Sequence, residues 1–192
     1  MTCWAIIPAK ATPDAKSRLA GALDAEARAT LAEAMLRRVV AAAGAATNIT
    51  QVCLLGAPAD RFAGVTSLAD PGGGLNPAVT AALAEVTGRG ATRAIFIHAD
   101  LPLVTAQDLE LLAAAPAGEI AIAPDRHGTG TNALSLPLPE AGGFSFAFGP
   151  DSFARHQAEA LRLGLPVEEI RSQGLARDID EPDDLPDAAG LF

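Results

Sequence analysis

The chain has 192 residues, 49% of them hydrophobic and 19% charged, with a formal net charge of −9. That length and apolar content suit one globular domain spanning residues 1–192, while the acidity argues against nucleic-acid or anionic-membrane partners. No apolar run reaches the length of a membrane span and the N-terminus lacks a signal-peptide pattern, so a cytoplasmic protein is expected.

Trp4 to Pro8 reads as a short buried strand, and the segment Ala9 to Ala20 as a loop. Both lysines of the chain, Lys10 and Lys16, fall in that loop with Arg18 just beyond. Surface lysines are normally scattered, so this grouping points to an anion site. Asp24 is placed to cap a helix whose Leu31, Met35, Leu36, Val39 and Val40 recur at helical spacing, ending near Gly44. Gln51 to Leu55 and Val65 to Ala69 are predicted strands. The glycine loop 70–77 follows, with Asn76 as the expected N-cap and Pro77 in the first turn of a helix to about Thr87. Gly72, Gly73 and Gly74 offer bare backbone that a planar base or ribose can approach.

The run Ala94 to Ala99 is a predicted buried strand that delivers Asp100 to the carboxyl edge of a sheet, where ligands bind in open α/β folds. Capping of the next helix, 106–114, falls to Thr105 and Asp108, which leaves the Asp100 charge uncommitted. Glu119 to Pro124 is another strand, and the alternation to this point predicts a three-layer α/β fold: a mostly parallel sheet with helices on both faces. The loop 125–132, with Gly128-Thr129-Gly130-Thr131-Asn132, reads as an anion cradle of hydroxyls and amides without a Walker lysine. A strand Ala133 to Leu138 follows. Gly149 and Ser152 sit at the start of a helix that ends at Gly164, a second anion-favouring position. Val167 to Ile170 and Leu175 to Asp180 are read as late strands. In an extended segment Asp178 and Asp180 face one side and Ile179 the core, so with Asp100 they make a hard-cation site for Mg²⁺. A metal at the sheet edge beside a basic loop points to a nucleoside di- or triphosphate. Cys3 and Cys53 lie in apolar runs, and His98, His127 and His156 show no metal-ligand spacing.

Taken together, Pro8-Ala9-Lys10, Ala15-Lys16-Ser17-Arg18-Leu19, Gly74-Leu75-Asn76, Asp100-Leu101-Pro102-Leu103 and Pro124-Asp125-Arg126 resemble one known family. So do the stretch Gly128 to Asn132, Phe148-Gly149-Pro150-Asp151-Ser152-Phe153 with His156, and Asp178-Ile179-Asp180-Glu181-Pro182. The family is that of the 2-phospholactate, phosphoenolpyruvate and 3-phosphoglycerate guanylyltransferases of deazaflavin coenzyme F-420 biosynthesis. The resemblance implies a Rossmann-like nucleotide-diphospho-sugar-transferase fold, GTP as donor, Mg²⁺ as cofactor and a small phosphorylated three-carbon acid as acceptor. It also implies roles for particular residues. Asp100, Asp178 and Asp180 would be the metal carboxylates, and Lys10, Lys16 and Arg18 the triphosphate clamp. Gly73, Gly74 and Asn76 would form part of the guanosine pocket, and Thr131, Gly149 and Ser152 would hold the acceptor. Asp151 and Glu181 depart from the glycine and threonine often found in the family, which leaves acceptor identity open among the three acids. A metal-dependent sugar-nucleotide transferase and a non-catalytic nucleotide-binding module stay as alternatives. Oligomeric state is also open, with a homodimer through a helix face among the options.

Overall fold

A computed structural model describes residues 2–9 and 16–191. Its centre is a seven-stranded sheet in the order β3-β2-β1-β4-β6-β5-β7. These strands are β1 (Cys3–Pro8), β2 (Gln51–Leu55), β3 (Val65–Leu68), β4 (Arg93–Ile97), β5 (Ile120–Pro124), β6 (Thr131–Pro137) and β7 (Val167–Glu169). The helices are α1 (Ala25–Ala45), α2 (Leu75–Gly88), α3 (Ala106–Ala113), α4 (Ser152–Arg162) and the single turn α5 (Gln173–Ala176). Stretches of 3₁₀ helix cover Ser17–Gly21 and Pro182–Leu191.

The inner strands are buried on both faces, the edge strands β3 and β7 less so, and their alternation sorts the core into two layers. Ala5, Ile7, Ile95 and Ile97 pack under α1 and α3, while Ile6, Ala94 and Phe96 face α2 and α4. The pairings β1–β2, β1–β4, β2–β3 and β5–β7 are parallel. Only β6 runs antiparallel, against β4 and β5. The cause is the link between β5 and β6: six residues close a hairpin, whereas a parallel return needs a dozen or more. Asp24 and Thr105 cap their helices as predicted, and Thr105 with Asp108 forms a reciprocal capping box. No helix among the described residues is long and apolar enough to cross a membrane.

Two local expectations are corrected. Leu175 to Asp180 is not a strand: Ser172 accepts the Leu175 N–H at 3.1 Å and caps α5, after which the chain runs without a sheet partner. Gly174 is needed there, because a Cβ would collide with the Asp108 carboxylate and the Leu103 carbonyl. Nor is Asn76 the cap of α2. Gly72, Gly73 and Gly74 all take positive φ, +89°, +85° and +99°, and the chain enters the helix at Leu75 with Gly74 at the cap position.

Candidate active site

The parallel strands β1, β2, β3 and β4 end on one edge, and β6 begins there because it runs the other way. Asp100 follows the end of β4. The segment after α5 is tied to this edge by two sets of hydrogen bonds. Ile179 N–H donates to the Asp100 carbonyl at 3.2 Å, and the Asn132 amide donates to the Leu175 carbonyl at 2.9 Å and to Asp178 Oδ1 at 3.3 Å. Ile179 is buried against Leu31 and Met35, while Asp178 and Asp180 on either side of it stay partly exposed. Asp184 fixes the turn beyond, accepting the N–H groups of Asp180 and Glu181 at 2.8 Å each while paired with Arg126 at 2.5 Å. Asp100 and Asp180 thereby meet on one edge, with Asp178 near enough for their charges to act on it.

Lys16 closes the cluster. Its Nζ lies 2.5 Å from Asp100 Oδ2 and 3.0 Å from Asp180 Oδ1, and Arg18 Nη1 reaches Asp180 Oδ2 at 3.2 Å. Its backbone is left-handed at φ 56°, a cost a lysine bears when its surroundings dictate its place. Burial alone would lower the Lys16 pKa, but the Asp100 and Asp180 carboxylates outweigh it and hold it above its ordinary value. The same pairing holds Asp100 below the usual carboxylate range, against the opposing effect of its own burial. Asp178 moves the other way, pushed up by burial and then by the Asp100 and Asp180 charges. Lys10 lies outside the described residues.

Lys16, Arg18, Asp100 and Asp180, though not Asp178, line a cleft of about 670 Å³ that also takes in Glu33, Arg61, Leu75 and His98, a volume in the range of nucleotide and cofactor sites. Among the described residues no three His, Cys, Asp or Glu side chains close on one point as a ready-made metal cage. The donors are nonetheless all carboxylate oxygen, the kind Mg²⁺ takes, and Asp100 Oδ1 is buried with no hydrogen-bond partner. The chemistry of these donors fits a hard cation.

The other predicted site residues are engaged within the protein. Asn76 clamps the Phe148 main chain, donating from Nδ2 to its carbonyl at 3.1 Å and accepting its N–H at 2.8 Å, so its amide joins two loops. Gly73 and Gly74 are exposed beside it, and Leu75 is the residue of that loop lining the cleft. Thr131 and Ser152 are buried against each other, with the Thr131 N–H donated to Ser152 Oγ at 2.9 Å. Gly149 forms the exposed bend before α4 at φ 125°. The anion-cradle reading of 128–132 is corrected: Asp125 accepts the N–H groups of His127 and Thr129 at 3.1 and 2.9 Å, and its carbonyl takes Gly128 N–H. At α4 the Ser152 and Phe153 N–H groups go to the carbonyls of Gly149 and Thr129.

His156 organises this side, a role its sequence position did not reveal. Its Nε2 accepts the Ala147 N–H at 3.0 Å, so the proton sits on Nδ1 and is donated to Thr131 Oγ1 at 3.0 Å. Burial first, then the charges of His98 and Arg155, push its pKa down to about 4. An unfolded histidine takes up a proton near pH 6.5 and the folded one not until about 4, so stability present above 6.5 is lost as pH falls through that interval. Urea unfolding between those pH values is expected to show a loss approaching about 3 kcal/mol in the parent and a flattened slope in His156→Gln.

Comparison with known proteins follows the same line. A family model described as guanylyl transferase CofC like matches residues 3–189. The phosphoenolpyruvate guanylyltransferase of Sphaerobacter thermophilus is 43% identical, over 99% of this chain and 94% of its own. That of Conexibacter woesei is 40% identical, over 96% of this chain and 86% of its own. Among solved structures, a 4-diphosphocytidyl-2C-methyl-D-erythritol synthase superposes with a TM-score of 0.67 at 15% identity, covering 99% of this chain and 97% of that one. The fold is thus that of the nucleotidyltransferases anticipated above.

Proposed function

The chain belongs to the CofC-like guanylyl transferase family, and on that premise we propose that it transfers GMP from GTP to the phosphate of a small phosphorylated three-carbon acid. Phosphoenolpyruvate, for which its relatives are named, is the first acceptor to test. An acceptor phosphate oxygen attacks the α-phosphorus; the new O–P bond forms as the bond to the β-phosphate bridge breaks, and pyrophosphate leaves with the electron pair. The acceptor is already ionised at neutral pH, so no general base is required, and acceleration comes from alignment and charge neutralisation. Lys16 and Arg18, with Lys10 a few residues earlier in sequence, would draw the triphosphate into the cleft. Asp100, Asp178 and Asp180 would hold Mg²⁺, which when bound neutralises phosphate charge.

The observation that carries this reading is the single ammonium of Lys16 bridging Asp100 and Asp180, 84 and 164 residues away, inside a nucleotide-sized cleft. The test incubates the protein with GTP, Mg²⁺ and each of phosphoenolpyruvate, 2-phospholactate and 3-phosphoglycerate, following pyrophosphate and the product mass. Release with one of these acids is expected. GTP binding without release under any acceptor would make the protein a binding module, and release with a sugar phosphate alone a sugar-nucleotide transferase.

A further inference from the structure

Three buried polar atoms on cleft-lining residues lack a hydrogen-bond partner, Asp100 Oδ1, His98 Nε2 and Glu33 Oε1, and the last of these is ion-paired with Arg37 at 2.8 Å. Buried polar atoms are nearly always paired, so an orphan beside a ligand cleft marks where a ligand completes the set. The metal reading accounts for Asp100; nothing above accounts for His98. Its main chain is fixed, since His98 N–H donates to the Asn132 carbonyl at 3.0 Å. Its ring is held against Phe148, with centroids 5.1 Å apart, and Phe148 is in turn clamped by Asn76 and set edge-on to His156 at 4.8 Å. The imidazole therefore stands at the seam between Asp100 and the loop that leads into α4.

We propose that His98 is an acceptor-binding residue whose Nε2–H donates to the carboxylate of the phosphorylated acid. The inference rests on the guanylyl-transfer reading and names what that site recognises in its second substrate. A carboxylate is the group this position suits. Asp100 and Asp180, which line the same cleft, can only accept hydrogen bonds when ionised, so a carboxylate entering beside them needs a donor, and the unpartnered His98 nitrogen offers one. A phosphate monoester without a carboxylate would gain nothing from it.

The test uses His98→Phe, which keeps a ring against Phe148 and removes the donor, and His98→Asn, which keeps a donor. Steady-state kinetics with GTP and Mg²⁺ are run alongside calorimetric binding of phosphoenolpyruvate. Loss of one hydrogen bond to a charged group is expected to raise the acceptor KM and Kd of His98→Phe on the order of ten- to a hundredfold, with the GTP KM unchanged. His98→Asn recovers part of that loss, and with methyl phosphate as acceptor parent and His98→Phe react alike. Unchanged phosphoenolpyruvate binding in a folded His98→Phe protein, or an equal rise in the GTP KM, overturns the assignment while leaving guanylyl transfer intact. Tight phosphoenolpyruvate binding that depends on His98 but yields no pyrophosphate overturns the transfer reading instead.

Discussion

Asp100→Asn and Asp178→Asn are both expected to abolish turnover, by on the order of a thousandfold, yet to move stability in opposite directions. The common loss follows from the reaction: each carboxylate is assigned to the cation that offsets triphosphate charge, an effect worth several kcal/mol in the transition state. The opposite signs follow from the protein's own electrostatics. Asp100 is held below the ordinary carboxylate range because, despite burial, the Lys16 ammonium 2.5 Å away favours its charged form. Its contribution is present above the unfolded value near pH 3.8 and lost as pH falls through the lower folded value. Breaking that part-buried pair at neutral pH should cost about 3 kcal/mol. Asp178 is raised by burial and by its two acidic neighbours, so its ionised form subtracts stability at neutral pH. An asparagine there removes the repulsion and still offers an oxygen to Asn132, a gain of about 1 kcal/mol. Thermal unfolding at pH 7 without divalent metal reads the difference, at roughly 2–4 °C per kcal/mol. Midpoints shifting in the same direction would sink this account of the cluster.

The local parts of this architecture were legible because they are written in short periods and caps. The apolar run ending near Asp100, the helical spacing of Leu31 to Val40 and the Thr105–Asp108 box each need only neighbouring residues to be recognised. What brings Lys16, Asp100 and Asp180 together is tertiary: the lysine grouping and the spacing of Asp178 and Asp180 point to a basic loop beside a carboxylate site, but not to the direct Lys16 pairing that joins them. What the sequence leaves out shares one cause. Asn76, Thr131 and Ser152, read as ligand-binding groups, also have partners within the protein, Phe148 and His156 among them, that lie 21 to 72 residues away. Leu175 to Ile179 has strand-like apolar spacing, yet α5 is one turn long, too short for a helical period to register. Asn132 and Asp184 were missed as anchors of the acidic segment for the same reason. A buried polar residue at the start of a strand or 3₁₀ turn is the signal that identifies such anchors.

Lys16→Met should lower turnover on the order of a hundredfold or more and make the stability of the protein depend on divalent cation. In the metal-free protein the ammonium already does part of a cation's work: it lies between Asp100 and Asp180, and its raised pKa records how strongly those carboxylates, overcoming the burial penalty, favour its charge. That contribution is complete below the unfolded lysine value near pH 10.5 and fades as pH rises through the higher folded value, so it is fully present at pH 7. Removing it leaves Asp100, Asp178 and Asp180 facing one another with Arg18 as the nearest compensation, at 3.2 Å from Asp180. The variant should therefore unfold at lower temperature than the parent without metal and recover more on adding MgCl₂, because a cation that binds only the folded state stabilises it by mass action. Lys16→Gly separates the side chain from the backbone: glycine accepts φ 56° without strain, so it should be as inactive as the methionine variant yet measurably more stable. If MgCl₂ shifts Lys16→Met and the parent by equal amounts, the lysine and the metal do not answer the same charge, and the three aspartates are held apart by something other than the cation they are assigned to share.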